Sequence, residues 1–263
     1  MSISRHAADR SIRVRSFGVT FQSGQKMLRP VVPANLGAWH QLVYATRGVM
    51  TVRTRQGIWV VPPHRGAWIP AGSEYHVELS GVVAVRNLYL KAGRREHKMF
   101  PRASDGCSVV NVTPLLRELI VRINLLGALD DRVPEHRRLL AVLLDELKAL
   151  VTVPLQLPSP QEPRAAKFAG LANTLSGASL SLEEMLRQCG ASRRTMERIF
   201  SAEAGMSLGQ WLRRQKLLHA LRLLAAGECV NSVALELGYN SASAFIAMFH
   251  RELGQTPRRY FES

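Results

Sequence analysis

The stretch from Val230 to Phe261 constrains the fold of this chain more than any other part of its sequence. It begins with a short amphipathic segment, and Gly238 follows where a positive φ can reverse the chain between two helices. Ser241, a favoured N-cap residue, then precedes a segment whose apolar side chains recur every four positions, at Phe245, Phe249 and Leu253. The pattern predicts a helix-turn-helix that is closed by a last short helix beginning at Pro257.

This stretch resembles the second helix-turn-helix of the AraC-type transcription regulators. The resemblance rests on the turn Gly238-Tyr239, on Ser241 and Ser243, and on the ending GQTPRRYF. Ala234 is displaced by a residue or two from the alanine that is usual in the family. The resemblance implies a transcription regulator whose partners are double-stranded promoter DNA and, if it is an activator, RNA polymerase.

A further stretch, GASRRTMERIFSAEAGMSLGQWLRRQKL, resembles the first helix-turn-helix of the same family. Ser192 and Ser207 stand at the N-cap positions of two helices, the first with a buried stripe of Met196, Ile199 and Phe200. Leu186 replaces the small alanine that is usual in the family, which implies a slightly altered helix crossing. We expect an all-α DNA-binding domain over residues 165–263, with helix-turn-helix motifs at about 182–203 and 230–252.

Four charged residues on the first predicted recognition helix lie off the apolar stripe and are candidates for base readout: Arg193, Arg194, Glu197 and Arg198. An arginine can donate two hydrogen bonds to one guanine, and a glutamate can accept one from cytosine. For each arginine the alternative is a contact with a phosphate, and for Glu197 it is to hold Arg193 or Arg194 in place.

The second predicted recognition helix presents few side chains that can read bases, namely Ser243, Ile246 and Ala247. Family members often place a polar or basic residue near Ile246 or Ala247, and this chain departs from the family there. Readout through apolar contacts or DNA shape is therefore expected. Seven residues are predicted to contact phosphates: Ser192, Ser207, Ser241, His250, Arg251, Arg258 and Arg259. We expect the first helix to specify the sequence and the second mainly to position the protein.

Short segments rich in Val, Trp, Tyr and Thr predict β-strands from about Arg15 to Leu90, in a domain over residues 16–112. They resemble the cupin-like effector domain that precedes many AraC-type DNA-binding domains, through HQLVY at 40–44, WVVPP at 59–63 and WIPAG at 68–72. The predicted fold class is α+β, with an N-terminal cupin-like β-barrel and a helical hairpin, then an all-α domain with two helix-turn-helix motifs. Residues 1–15 are expected to form a basic arm.

The resemblance makes the barrel a sensor for a small-molecule effector, with five candidate contacts: His40, Tyr44, Trp59, Trp68 and His76. Metal-binding cupins carry a PxGxxH motif and an earlier HxH. Here the gap before His76 is one residue longer, and His40 has no second histidine two positions away. Either the two histidines hold a metal or a polar group of the effector, or they are hydrogen-bonded residues of a metal-free pocket. No cofactor is predicted.

Leucine-rich stripes predict two helices over residues 113–151, beginning at Pro114 and Pro134 and joined by a turn over 127–132. The resemblance implies that this hairpin forms a homodimer, and the alternative is packing against the barrel of its own chain. Residues 152–164 contain four prolines and no helical period, which predicts an extended linker.

The net charge of +15 favours a polyanionic partner but does not choose among DNA, RNA and a membrane surface. The three cysteines (Cys107, Cys189 and Cys229) lack metal-ligand spacing and suit buried thiols in a reducing cytoplasm. No apolar run approaches the length of a transmembrane helix, so no membrane partner is expected.

These features favour an effector-responsive transcription regulator that is not an enzyme. One alternative is a metal-dependent cupin enzyme with an appended DNA-binding module. That enzyme would need three metal ligands and an open position, which this sequence does not supply. Another alternative is an architectural DNA-binding protein that responds to no effector.

Overall fold

The computed structural model describes residues 12–21, 26–27, 39–91, 106–174 and 180–262. The chain divides into two compact units: unit 1 contains Met1–Thr54 and Val61–Gln156, and unit 2 contains Arg55–Val60 and Leu157–Ser263. The predicted basic arm lies mostly outside the described residues, and its last residues belong to the first strand. No helix in the described ranges is long and apolar enough to cross a bilayer.

Unit 1 is built on an antiparallel sheet. Its strands are β1 (Ile12–Phe21), β2 (Lys26–Met27), β3 (Trp39–Arg53), β5 (Arg65–Ile69), β6 (His76–Lys91), β7 (Ser108–Asn111), β8 (Ala128–Asp130) and β9 (Thr152–Val153). They are ordered β8-β1-β6-β3-β5-β7-β9, with β2 paired to the first part of β6. The sheet in the N-terminal part and the helices of the C-terminal part confirm the predicted α+β class.

The long strands β3 and β6 are irregular near Gly48, because their register shifts between Ala45 and Val49. Gly48 has a φ of 74°, and a Cβ atom added there would lie 2.5 Å from the Val82 carbonyl oxygen. A residue with a side chain would therefore be strained and would collide with the neighbouring strand. Glycine permits the close approach of the two strands at this bulge.

One face of the sheet packs against two helices, α1 (Pro114–Leu126) and α2 (Pro134–Lys148). The core between them is made by alternate strand residues and by one stripe of each helix: Val14, Leu42, Leu88, Leu90, Leu116, Ile120, Ile123, Leu143 and Leu147. The leucine stripes of the hairpin are thus covered by the sheet of the same chain. The segment 127–132, predicted as a plain turn, contains β8, because Leu129 is buried and pairs with Val14 of β1.

The segment predicted as a linker is extended, but it is paired with other strands. β9 pairs with β7, and β10 (Gln156–Pro158) pairs with β4 (Gly57–Val61). Apolar Leu155 and Leu157 alternate along this segment and are buried, which explains why it does not remain a free linker. The first helix of unit 2 begins at Pro163, two residues before the predicted start of the domain.

Unit 2 consists of helices, apart from its residues in β4 and β10. Its helices are α3 (Pro163–Thr174), α4 (Leu182–Gln188), α5 (Arg193–Ala204), α6 (Leu208–Ala225), α7 (Val230–Glu236), α8 (Ala242–Leu253) and α9 (Pro257–Glu262). Edge-to-face aromatic contacts help to pack these helices. Phe200 of α5 contacts Phe168 of α3 and Trp211 of α6, and Phe249 of α8 contacts Phe245 of the same helix and Tyr260 of α9. The Trp211 indole N–H also donates to the Pro158 carbonyl oxygen, 2.8 Å away.

Candidate nucleic-acid interface

The recognition helix of the first helix-turn-helix is α5. Ser192 is its N-cap, and the Ser192 hydroxyl oxygen accepts a hydrogen bond from the Thr195 backbone N–H at 3.2 Å. The apolar stripe (Met196, Ile199 and Phe200) is buried, so three of the four predicted base readers are exposed on the other side of the helix: Arg193, Arg194 and Arg198. This arrangement leaves their guanidinium groups able to meet base edges or phosphates.

Glu197, the fourth predicted base reader, has a different contact. Its carboxylate oxygen Oε2 accepts a hydrogen bond from the Leu208 backbone N–H, 3.0 Å away. Leu208 is the first residue of α6. The backbone N–H groups in the first turn of a helix have no hydrogen-bond partner within that helix. Among the described residues Glu197 forms no ion pair with Arg193 or Arg194, and its roles in base readout or in holding those arginines stay predictions. The observed role is to join α5 to the start of α6.

All three serines predicted to contact phosphates are helix N-caps. Ser207 forms a capping box with Gln210 at the start of α6, and the Ser241 hydroxyl oxygen accepts from the Ala244 N–H at 3.2 Å. Ser192 caps α5 in the same way. A hydroxyl that accepts in this way keeps its own O–H as a possible donor. The positive end of each helix dipole also lies there, which favours an anion.

The second recognition helix is α8. Its buried side is apolar (Phe245, Met248 and Phe249), and its outer side presents Ser243, Ala244, Ala247 and His250, with Ile246 half-buried. In its first two turns no side chain is basic. The apolar residues Ile246 and Ala247, where family members often have a polar or basic residue, therefore leave this part of the helix without a side chain that can donate to a base.

Three predicted phosphate contacts lie at the end of α8 and in α9. Arg251 is exposed, and its Nε atom lies 3.6 Å from the carboxylate of Glu252. Arg258 and Arg259 are exposed in the first turn of α9. Tyr260 holds α9 against α8 through its ring contact with Phe249, with 5.6 Å between the centroids.

Two basic residues of α6, Arg213 and Lys216, lie next to this surface and were missed by the sequence reasoning. Arg213 is exposed, and the Lys216 ammonium lies 5.4 Å from the ring centroid of Tyr239. The spacing of these two residues could have indicated a basic surface, because residues three apart lie on the same side of a helix.

The predicted effector contacts of unit 1 do not form one site. His40 and Trp68 stack on each other, with ring centroids 5.4 Å apart, and His40 Nδ1 accepts from the Ala71 N–H at 3.1 Å. Tyr44 and Trp68 belong to the core beneath α1 and α2. The buried Tyr44 hydroxyl has no hydrogen-bond partner there, and burial raises the pKa of Tyr44.

The remaining two predicted contacts lie elsewhere. Trp59 is buried in a strand segment that belongs to unit 2. His76 is exposed and pairs with Arg53 at one end of β3, whereas His40 pairs with Leu90 near the other end. His40 is buried, whereas His76 is exposed, so the two side chains do not line one buried pocket. No group of three metal-binding side chains occurs among the described residues.

The sheet face opposite the helices contains a polar cluster that the sequence reasoning missed. Gln41 Nε2 donates to the Tyr89 hydroxyl oxygen at 3.0 Å, and the Tyr75 hydroxyl donates to Gln41 Oε1. Asn87 is on the same face two residues from Tyr89, and its buried side-chain oxygen has no hydrogen-bond partner. Burial raises the pKa of Tyr75 and of Tyr89, which keeps both phenols neutral. Strand alternation alone cannot reveal such a cluster, because both faces of these strands are buried.

Comparisons with known proteins find relatives that are helix-turn-helix regulators. A family model described as "Helix-turn-helix domain" matches residues 185–263. The HTH-type transcriptional regulator NimR of Escherichia coli K12 is 31% identical over 220 residues, which is 84% of this chain and 78% of NimR. The transcriptional activator RhaR of Salmonella dublin is 31% identical over 94 residues, covering 35% of this chain and 33% of RhaR.

Among solved structures, an AraC-type regulator DNA-binding domain from Chromobacterium violaceum is 22% identical, with a TM-score of 0.36. That match covers 38% of this chain and 91% of the solved one. The family assignment comes from the sequence match to NimR, which extends over both units. It confirms the family that the two helix-turn-helix motifs predicted. The chain belongs to the AraC-type family of helix-turn-helix transcriptional regulators.

Proposed function

We propose that this regulator reads promoter DNA mainly with α5 and is controlled by a small molecule bound in unit 1. The observation that supports the first part most strongly is the outer surface of α5, where Arg193, Arg194 and Arg198 project opposite a buried apolar stripe. Arginine is the residue that most often reads guanine in the major groove. Arg194 and Arg198 are four positions apart on one side of the helix and are the best candidates.

In this proposal α8 positions the protein on the DNA. Its outer surface offers Ser243, Ile246 and Ala247, which can meet thymine methyl groups or the shape of the groove. Phosphate contacts come from the N-cap serines (Ser192, Ser207 and Ser241) and from basic residues near the end of the chain (His250, Arg251, Arg258 and Arg259). Such contacts give affinity without sequence preference.

We place the effector at the polar cluster of Gln41, Tyr75, Asn87 and Tyr89, on the sheet face opposite the helices. A buried oxygen without a partner costs about 1–3 kcal/mol, and a ligand that donates a hydrogen bond to Asn87 would offset that cost. Gln41 and the two neutral phenols would orient such a ligand. We expect a small uncharged molecule with at least one N–H or O–H group.

We also propose a homodimer and a cytoplasmic site of action on promoter DNA, with contact to RNA polymerase if the protein activates. The leucine stripes of α1 and α2 are covered by the sheet, so a dimer contact would use the outer side of the hairpin. That side exposes apolar Leu125, at 77%, and Val142, at 42%. We propose no enzymatic activity, because NimR, to which the chain is similar over most of its length, is a transcriptional regulator.

Selection of bound genomic fragments by the purified protein tests this function. We expect a short motif to be enriched, and a thermal-shift screen of small polar molecules with the same preparation to find a stabilising compound. A Gln41→Leu variant that still folds and binds the motif should no longer be stabilised by that compound. Enrichment without any shared motif would contradict the proposal for DNA.

A further inference from the structure

A basic groove lies between the first half of α6 and the recognition helix α8. Its rim includes Arg213, Lys216 and Arg251, and Tyr239 contributes from the turn between α7 and α8. Ala244 and Ala247 line its other side, and their small side chains leave it open. The groove therefore combines three cationic groups with a phenol in one concavity.

The cations of α6 are available for an external anion. Within the described ranges neither Arg213 nor Lys216 forms an ion pair with a carboxylate. The Lys216 ammonium lies over the Tyr239 ring, 5.4 Å from its centroid, which restricts its position. Burial lowers the pKa of Lys216, so an anion placed beside its ammonium group would favour the charged form.

The groove is continuous with the outer surface of α8. Ala247 lies both on that surface and on the groove wall, and Arg251 follows one turn later on the same side. A nucleic-acid strand that borders the major groove next to α8 would therefore lie along these cations. Among polyanions, the sugar-phosphate backbone of DNA fits this position best because the neighbouring helix is a DNA-recognition helix.

We propose that this groove binds phosphates of the DNA strand that flanks the segment contacted by α8, with Arg213 and Lys216 as the main contacts. The proposal rests on the proposed DNA-binding function and names two residues that it did not include. It also explains how α8 can hold the protein on DNA although its outer surface has few groups that read bases. The contacts are made to phosphates, which any sequence provides.

The test uses the full chain with Arg213→Gln and Lys216→Gln combined, and DNA-binding affinity measured by fluorescence anisotropy across a range of salt concentrations. For both the selected motif and a scrambled duplex, we expect affinity to fall about tenfold to a hundredfold and the salt slope of log K to fall by about two, because two phosphate contacts are lost. Lys216→Arg keeps the charge and should preserve both values. Lys148→Gln, a charge change on α2 in unit 1, is the matched control.

Methylphosphonate substitutions locate the contact. Neutralising one or two phosphates beside the α8 half-site should weaken wild-type binding and leave the double variant unaffected at the same positions. Unchanged affinity and salt slope in a double variant with wild-type circular dichroism would overturn the proposal. Unchanged DNA binding with a loss of polymerase-dependent transcription would also overturn it, and would assign the groove to a protein. Failure of the wild type to select any motif would instead contradict the proposed function.

Discussion

The Glu197 carboxylate and the Leu208 backbone N–H are joined by a hydrogen bond of 3.0 Å, which connects the recognition helix α5 to the first turn of α6. Leu208 is buried, so its N–H has little access to water. The bond therefore stabilises the corner between these helices, and it keeps the carboxylate occupied in the structure.

Glu197→Ala should lower the free energy of unfolding by about 1–2 kcal/mol, because the start of α6 loses a charged acceptor. Urea denaturation followed by circular dichroism measures this change. Glu197→Gln retains an acceptor oxygen and should cost less. An alanine variant with wild-type stability and an altered base preference would assign Glu197 to cytosine readout instead.

Arg194→Ala and Arg198→Ala should each weaken binding to the preferred duplex by about 1–3 kcal/mol while changing binding to a scrambled duplex much less. The physical reason is that a bidentate contact with guanine is lost. Arg258→Ala is the matched control, and it should weaken binding to both duplexes equally. Equal losses on both duplexes for the α5 variants would make these arginines phosphate contacts.

Stability should depend on pH through His219 of α6. Burial, and secondarily the cation of Arg222, lowers the pKa of His219, while the Glu236 carboxylate of α7 lies 3.6 Å away, too far for a good hydrogen bond. Between the lowered folded-state pKa and about 6.5, the unfolded chain binds more protons than the folded one. The free energy of unfolding should therefore rise with pH through this window and fall on acidification.

Denaturation at a series of pH values checks this dependence. His219→Gln should flatten the curve of unfolding free energy against pH below about pH 6.5. A His219→Gln variant with the same slope as the wild type would show that other groups cause the acid sensitivity.

Gly48→Ala should destabilise unit 1 by about 1–3 kcal/mol or more, since the new Cβ would be strained and would meet the Val82 carbonyl oxygen. Gly72→Ala is a control, because Gly72 also has a positive φ, 80°, but an added Cβ there meets nothing within 4 Å. Its cost should be limited to the backbone strain of about 1–2 kcal/mol. Equal costs in thermal denaturation would rule out the collision at Gly48.

The helices of unit 2 follow from local rules, and most of them could be predicted from the sequence. Ser192, Ser207 and Ser241 cap the helices that they were expected to cap, and the apolar stripe of α5 is buried as its spacing indicated. Capping and helical periodicity involve residues within a few positions of each other. The sequence contains all the information that such features need.

The features that could not be predicted depend on long-range pairing. The pairing of His40 with Leu90 and of His76 with Arg53 follows from the register of β3 on β6. The contact of Glu197 with Leu208 depends on how two helices meet. The cluster of Gln41, Tyr75 and Tyr89 joins three segments that are distant in the chain. No local pattern encodes which strand face a given partner occupies when both faces are buried.

The most direct test of the central assignment, that α5 specifies the sequence, is a selection from random duplexes with the wild type and with the combined Arg194→Ala and Arg198→Ala variant. The wild type should enrich a motif with one strongly specified part, and the variant should lose that part while still retaining DNA. An identical motif from both proteins would contradict the assignment and would make α8 the sequence reader.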